Sequence, residues 1–118
     1  MVVVHSVLET PIFTRRADAL LTREERAMLV SLLASQPMKG DVIPGTGGVR
    51  KLRFGAGGRG KRGGFRVIYY LLSDDMPVVA IMLYGKNEQA DLTPDEKQGA
   101  AAIVAAMKAN LAKRRTAR

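Results

Sequence analysis

The segment RKLRFGAGGRGKRGGFRVIYY, residues 50–70, carries seven cationic side chains, six glycines and no carboxylate. Alternation in the strand-like stretch VRKLRF places Lys51 and Arg53 on one face, and the β-rich stretch GFRVIYY adds Arg66. Cations held this close repel one another unless an anion lies among them, so the hairpin predicts a site for a polyanion such as RNA. The alternative is a solvated glycine-rich loop whose cations only keep it soluble.

The composition favours the first of these interpretations. The net charge is +8 and the isoelectric point is near 10.3, which predicts attraction to nucleic acid through counterion release. Part of that charge could belong only to a solvated tail, because LAKRRTAR at residues 111–118 supplies four of the cations.

Several kinds of chemistry are excluded by composition. The chain has no cysteine and a single histidine, His5, which removes thiolate metal sites and zinc sites built on histidine pairs. The glycine-rich stretch leads into a strand and lacks the Walker A pattern, so it does not predict a site for nucleoside triphosphates. We expect no metal or other cofactor.

The predicted elements give an α+β domain. A first strand, two N-terminal helices, a meander of three strands and a C-terminal helix imply a small, mostly antiparallel sheet packed by helices. The expected bounds are a strand over 2–8, helices over 12–21 and 23–35, strands over 49–54, 64–72 and 78–85, and a helix from 93 onwards. Thr22 with Glu25 and Thr93 with Glu96 predict capping boxes at two helix starts. We expect one domain over 1–118 with a flexible basic tail at about 112–118.

The N-terminus lacks the basic region and the length of a signal peptide. No apolar stretch approaches membrane-spanning length. The expectation is a soluble, cytoplasmic protein.

Three stretches together resemble a known family. They are GDVIPGTGGVRKLRF, GKRGGFRVIYYLL and LYGKNEQADLTPDEK. They are similar to the HigB-type branch of the RelE/ParE toxin superfamily, the toxins of type II toxin-antitoxin modules. The resemblance covers roughly Val2 to Val104 and is most specific from Gly40 to Lys97.

The resemblance implies a ribosome-dependent mRNA endoribonuclease that inhibits translation by metal-independent attack of a ribose 2′-hydroxyl. It implies that Lys51 is the general base, with a pKa lowered by Arg50, Arg53 and Arg66. Arg66 matches the arginine that contacts the scissile phosphate, and Arg53 supports it electrostatically. The implied catalytic set is Lys51, Arg53, Arg66, Tyr84 and Lys86, and the set expected to hold RNA or the ribosome is Arg50, Arg59, Lys61 and Arg62.

Two positions depart from the best-known RelE pattern. Asn87 stands where an arginine is expected, and Thr93 stands where the family has a tyrosine. The general acid is therefore open among Arg66, Lys86, Tyr84 and Lys61.

The resemblance also implies partners. These are the ribosome, mRNA and a cognate antitoxin, expected to be a helix-turn-helix protein, with operator DNA bound only through the complex. Other functions stay open: a ParE-like gyrase inhibitor, a noncatalytic RNA-binding or ribosome-binding protein, or a toxin that has kept the fold and lost its activity.

Overall fold

The computed structural model describes residues 4–55 and 64–116. Within them the chain forms five strands and three helices, which confirms the predicted α+β class. Their bounds are β1 Val7–Glu9, α1 Pro11–Leu20, α2 Arg23–Ser35, β2 Asp41–Val42, β3 Arg50–Phe54, β4 Phe65–Leu71, β5 Val78–Gly85 and α3 Pro94–Thr116. None of the three helices is long and apolar enough to cross a membrane.

The strands form one sheet in the order β1-β5-β4-β3-β2. β3, β4 and β5 make the predicted antiparallel meander, and β2 adds to the outer side of β3. β1 pairs with β5 in parallel, with Val7 opposite Val78. β5 therefore lies inside the sheet, which explains why its sequence VVAIMLYG is almost wholly apolar.

Each helix begins at a threonine whose hydroxyl oxygen accepts a hydrogen bond from a backbone N–H three residues on. Thr10 caps α1 in this way, and Thr22 and Glu25 form the predicted capping box of α2. Thr93 and Glu96 form the same reciprocal pair at the start of α3, with bonds of 2.9 and 3.1 Å. These bonds satisfy N–H groups that the first helical turn leaves without partners.

The sheet separates two apolar layers. On one face, α1 and α2 bury side chains against Leu52, Val67 and Tyr69. On the other face, α3 buries Val104 against a second cluster that includes Tyr70. The adjacent residues Tyr69 and Tyr70 of β4 thus pack into the two different apolar layers, because successive side chains of a strand point to opposite faces of the sheet.

Two local features differ from the expectations. The first strand covers Val7–Glu9 and not residues 2–8, of which 2 and 3 lie outside the described residues. The backbone N–H of His5 donates to the carbonyl oxygen of Ala34, at the end of α2, instead of to a strand. The short β2 strand was not predicted. The helix α3 continues through Thr116 and so includes part of the segment 112–118 that was expected to be a basic tail; cations at this end suit the negative end of the helix dipole.

Candidate functional site

Three of the predicted catalytic residues are neighbours across the sheet. In the strand register Arg53 lies opposite Arg66, and Arg66 lies opposite Tyr84. Residues paired in this way have Cβ atoms about 5 Å apart and share one face. Lys51, two residues before Arg53 on β3, lies on the same face. Four predicted catalytic residues are thereby brought together on the α3 side of the sheet.

Lys51 is paired with a carboxylate that the sequence analysis did not identify. Its Nζ lies 2.6 Å from Oδ1 of Asp91, in the segment between β5 and α3. The hydrogen bond and charge of Lys51, with a further effect of Arg66, hold the pKa of Asp91 below its usual value. The expectation that Lys51 stands among cations alone is therefore wrong.

Arg50 points away from this group. It lies opposite Tyr69 on β4, so it faces the α1 and α2 side of the sheet. Its Nη1 donates to the carbonyl oxygens of Gly40 at 2.6 Å and Met38 at 3.2 Å. Arg50 therefore anchors the chain before β2 and contributes no repulsion from the face of Lys51.

Two polar atoms near the centre of the site are buried and have no hydrogen-bond partner among the described residues. Within the described part of the chain, neither Nη1 of Arg66 nor the hydroxyl of Tyr84 has a hydrogen-bond partner. Burial raises the pKa of Tyr84, Asp91 adds to the rise and Arg66 opposes it. The hydroxyl is consequently protonated at neutral pH and can donate a hydrogen bond or a proton.

The segment after β5 is fixed by its own hydrogen bonds. The N–H of Gly85 donates to Oε1 of Glu88 at 2.6 Å. Arg16 of α1 donates to the carbonyl of Leu83 and to Glu88, both at 2.8 Å. Lys86 lies in this turn with an exposed side chain, and its backbone N–H donates to Gly64 at 3.0 Å.

The two departures from the RelE pattern have different surroundings. Asn87 is exposed in the same turn as Lys86. Thr93 is occupied as the cap of α3. Neither is among the residues that register brings beside Arg66.

Asp91 is held in place from the α3 side. Nε2 of Gln89 donates to the backbone carbonyl of Asp91 at 2.8 Å and to Glu96 at 2.9 Å. Burial would raise the pKa of Glu96, but hydrogen bonds from Thr93 and Gln89 outweigh it and lower the pKa. The sequence did contain a signal for Asp91. It lies two residues before the capping box of Thr93 and Glu96, in the segment that leads from the end of β5 to α3.

A cavity of about 250 Å³ opens beside the ion pair. Ile43 and Leu92 form its apolar walls, and Lys51, Asp91 and Lys97 supply its charges. The cavity therefore borders the cationic face at Lys51.

Some predicted residues lie beyond what the structure describes. Arg59, Lys61 and Arg62 fall in residues 56–63, outside the described residues. Among residues 4–55 and 64–116, no cluster of three or more histidine, aspartate or glutamate side chains could hold a metal ion.

Comparison with known families gives a match over most of the chain. The model of the family described as the RelE toxin of the RelE / RelB toxin-antitoxin system matches residues 11–117. The match spans all three helices and four of the five strands, including every strand that carries a candidate site residue. The chain therefore belongs to the RelE toxin family.

Proposed function

We propose that this chain is a HigB-type toxin that cleaves mRNA on the ribosome without a metal ion and so inhibits translation. Membership of the RelE family implies a toxin that is paired with an antitoxin. The observation that carries the finer proposal is the row Arg53, Arg66 and Tyr84 on neighbouring strands, with polar atoms of Arg66 and Tyr84 buried and unpartnered within the described residues.

Cleavage of RNA by the neighbouring 2′-hydroxyl requires several catalytic groups in the site. The ribose 2′-oxygen loses its proton and attacks phosphorus, the bond from phosphorus to the 5′-oxygen breaks, and that oxygen takes up a proton. The products are a 2′,3′-cyclic phosphate and a free 5′-hydroxyl. A site must therefore supply a base, an acid and donors for the charge that develops on the phosphoryl oxygens.

Arg66 is the proposed donor to the phosphoryl oxygens. A guanidinium can hold two oxygens of a phosphate at once, and Nη1 of Arg66 has no partner within the described part of the chain. Arg53, directly opposite on β3, adds positive charge from an exposed position. The two together offset charge that grows in the transition state.

Tyr84 is the proposed acid for the leaving 5′-oxygen. Its hydroxyl is buried, unpartnered in the described residues and held in the protonated form by its raised pKa. Lys86 follows Tyr84 by two residues, but its exposed side chain in the turn suits orientation of the nucleotide better than proton transfer.

Lys51 keeps its proposed role as base, with one added step. Its Nζ lies 2.6 Å from Oδ1 of Asp91 and must leave that carboxylate before it can face the 2′-hydroxyl. The Asp91 side chain is 73% exposed, so a phosphate approaching from solvent can displace it from Lys51. We propose that RNA separates this ion pair on binding.

The remaining cations are proposed to bind without cutting. Arg59, Lys61 and Arg62 belong to the glycine-rich sequence between β3 and β4, and we expect them to contact ribosomal RNA. Arg50 is proposed to contact RNA or the ribosome as well. Variants of strand residues should bind the ribosome and fail to cleave, whereas variants of the connection should bind more weakly. The partner is proposed to be a helix-turn-helix antitoxin, and the site of action is the cytoplasm.

The test is to map cut sites by primer extension after induction in cells. Wild type should cut messages only while they are translated, and Arg66→Ala should lower cleavage by about 100-fold or more. Arg66→Lys keeps the charge but loses the bidentate geometry and should restore little activity. Arg15→Ala removes an equal charge from an exposed position on α1 and should cut as wild type does.

Three outcomes would contradict cleavage. Intact mRNA together with trapped, cleaved DNA would indicate a gyrase inhibitor. Intact mRNA together with salt-sensitive RNA binding and normal growth would indicate a binding protein. Intact mRNA without binding or toxicity would indicate an inactive member of the family.

A further inference from the structure

An apolar groove runs along the side of α3 that faces β1 and the start of α1. It consists of two cavities, of about 330 and 320 Å³, which share Ile103 as a wall. Gly99 borders the first cavity and Met107 the second. Since these residues recur at every fourth position, they share one face of α3. No residue of the candidate cleavage site lines either cavity.

The opposite rim of the groove exposes large apolar side chains. Ile12 at the start of α1 is 49% exposed, and Leu8 on the edge strand β1 is 55% exposed. Each lines one of the two cavities. The groove is bordered by α3 residues from Asp95 to Arg114, which makes it about 28 Å long. A continuous apolar surface of this length is typical of an interaction site.

The charges at its ends define what can bind. Asp95 and Glu96 border one end, and Arg114 borders the other. The carboxylates at the first end repel RNA phosphates, although the protein as a whole carries +8, and the floor between the two ends is apolar. The chemistry therefore fits a polypeptide with an apolar stripe, a basic residue at one end and an acidic residue at the other.

We propose that this groove is the docking site of an amphipathic helix of the antitoxin. The antitoxin is the polypeptide partner that family membership implies, and a helix laid in a groove presents apolar residues at intervals of three and four. The inference depends on the toxin-antitoxin pairing in the proposed function and not on RNA cleavage. It places the antitoxin on a surface separate from Arg66 and Tyr84.

Gly99 allows a sharp test. A Cβ atom at this position would meet no atom of another part of the described chain within 4 Å, so a side chain can extend from it into the groove without a clash at its base. Replacing glycine inside a helix also favours the helix. Gly99→Leu should therefore leave the toxin folded and obstruct the partner. Ile12→Glu is the second variant, because it puts a charge into the groove at a half-exposed position.

The experiment measures binding of the purified antitoxin, encoded by the reading frame adjoining the toxin gene, by titration calorimetry. Gly99→Leu and Ile12→Glu should each weaken binding by about 30-fold or more, as loss of a central contact does. Ala102→Leu, on the exposed side of the same helix, should bind as wild type does. Unfolding temperatures of all three variants verify that they are folded.

The results that would contradict the groove proposal can be told apart from those that would contradict the proposed function. If wild type binds the antitoxin and both variants bind equally well, the groove is not the docking site and the proposed function stands. If wild type does not bind the antitoxin, the pairing itself fails and the groove proposal fails with it. If wild type alone forms a dimer that Ile12→Glu dissociates, the groove belongs to a second copy of this chain.

Discussion

Two tyrosines of the sheet are equally buried and differ in what their hydroxyls contact. Tyr69 and Tyr84 are both 0% exposed. The hydroxyl of Tyr69 accepts a hydrogen bond from the N–H of Gly40 at 2.8 Å, whereas the hydroxyl of Tyr84 has no partner in the described part of the chain. We expect Tyr69→Phe and Tyr84→Phe to change stability differently, although each removes one oxygen atom.

The expected magnitudes follow from these contacts. Without the Tyr69 hydroxyl, the buried N–H of Gly40 loses its acceptor, which costs about 1–3 kcal/mol of unfolding free energy. Without the Tyr84 hydroxyl, no hydrogen bond to a described residue is lost and an unsatisfied polar group leaves the interior. The unfolding free energy should therefore stay equal or rise by about 1 kcal/mol. In a domain of about 100 residues, 1 kcal/mol corresponds to roughly 4–8 °C in Tm.

The assay combines calorimetric Tm values with RNA cleavage by the same preparations. Tyr69→Phe should lower Tm by at least about 4 °C and still cleave while folded, because Tyr69 faces the α1 and α2 layer. Tyr84→Phe should keep its Tm and lose cleavage. If Tyr84→Phe lowers Tm as much as Tyr69→Phe, its hydroxyl has a partner and the reasoning fails. If it stays stable and cleaves at the wild-type rate, the hydroxyl has no part in the reaction.

Two further predictions concern charge and pH. In Asp91→Asn, Lys51 is neutralised by a counterion from solution, which RNA releases on binding. We would measure the binding of a noncleavable 2′-deoxy analogue by anisotropy at several salt concentrations, and the slope of log affinity against log salt concentration should steepen by about 0.7. An unchanged slope would mean that Lys51 contacts no phosphate. Burial raises the pKa values of Tyr69, Tyr70 and Tyr84 above 10.0, so their contribution to stability is complete below that pH and is lost as the pH rises through the folded-state values. Tm measured from about pH 8 to 11 should fall steeply above 10, and a flat profile would contradict their burial.

The parts of the fold that depend on neighbours in sequence could be predicted from the sequence. Both capping boxes are signalled by residues three apart, and both form as expected. Alternation also placed Lys51 and Arg53 on one face. These features depend on backbone geometry over a few residues, so a short pattern is enough to specify them.

The parts that depend on distant contacts could not be predicted in the same way. Asp91 lies 40 residues from Lys51, and only the path of the chain after β5 brings the two together. Likewise, the pairing of Arg66 with Tyr84 follows from a strand register that contains a bulge between Ile68 and Tyr69. A shift of one residue would turn every side chain to the other face, and no local pattern reports that choice.

The two faces of the sheet differ in whether their polar side chains have hydrogen-bond partners among the described residues, and this difference indicates the kind of ligand. On the α1 and α2 face, Arg50 and Tyr69 both have hydrogen-bond partners. On the α3 face, Arg53 lies opposite Arg66, an arrangement of like charges that destabilises a sheet, and the described residues provide no partner for Nη1 of Arg66. Replacement of either Arg53 or Arg66 by an uncharged residue would remove this repulsion. A phosphate would offset the repulsion between Arg53 and Arg66 and would accept a hydrogen bond from Nη1, which has no partner among the described residues. RNA is therefore the ligand that we propose for this face.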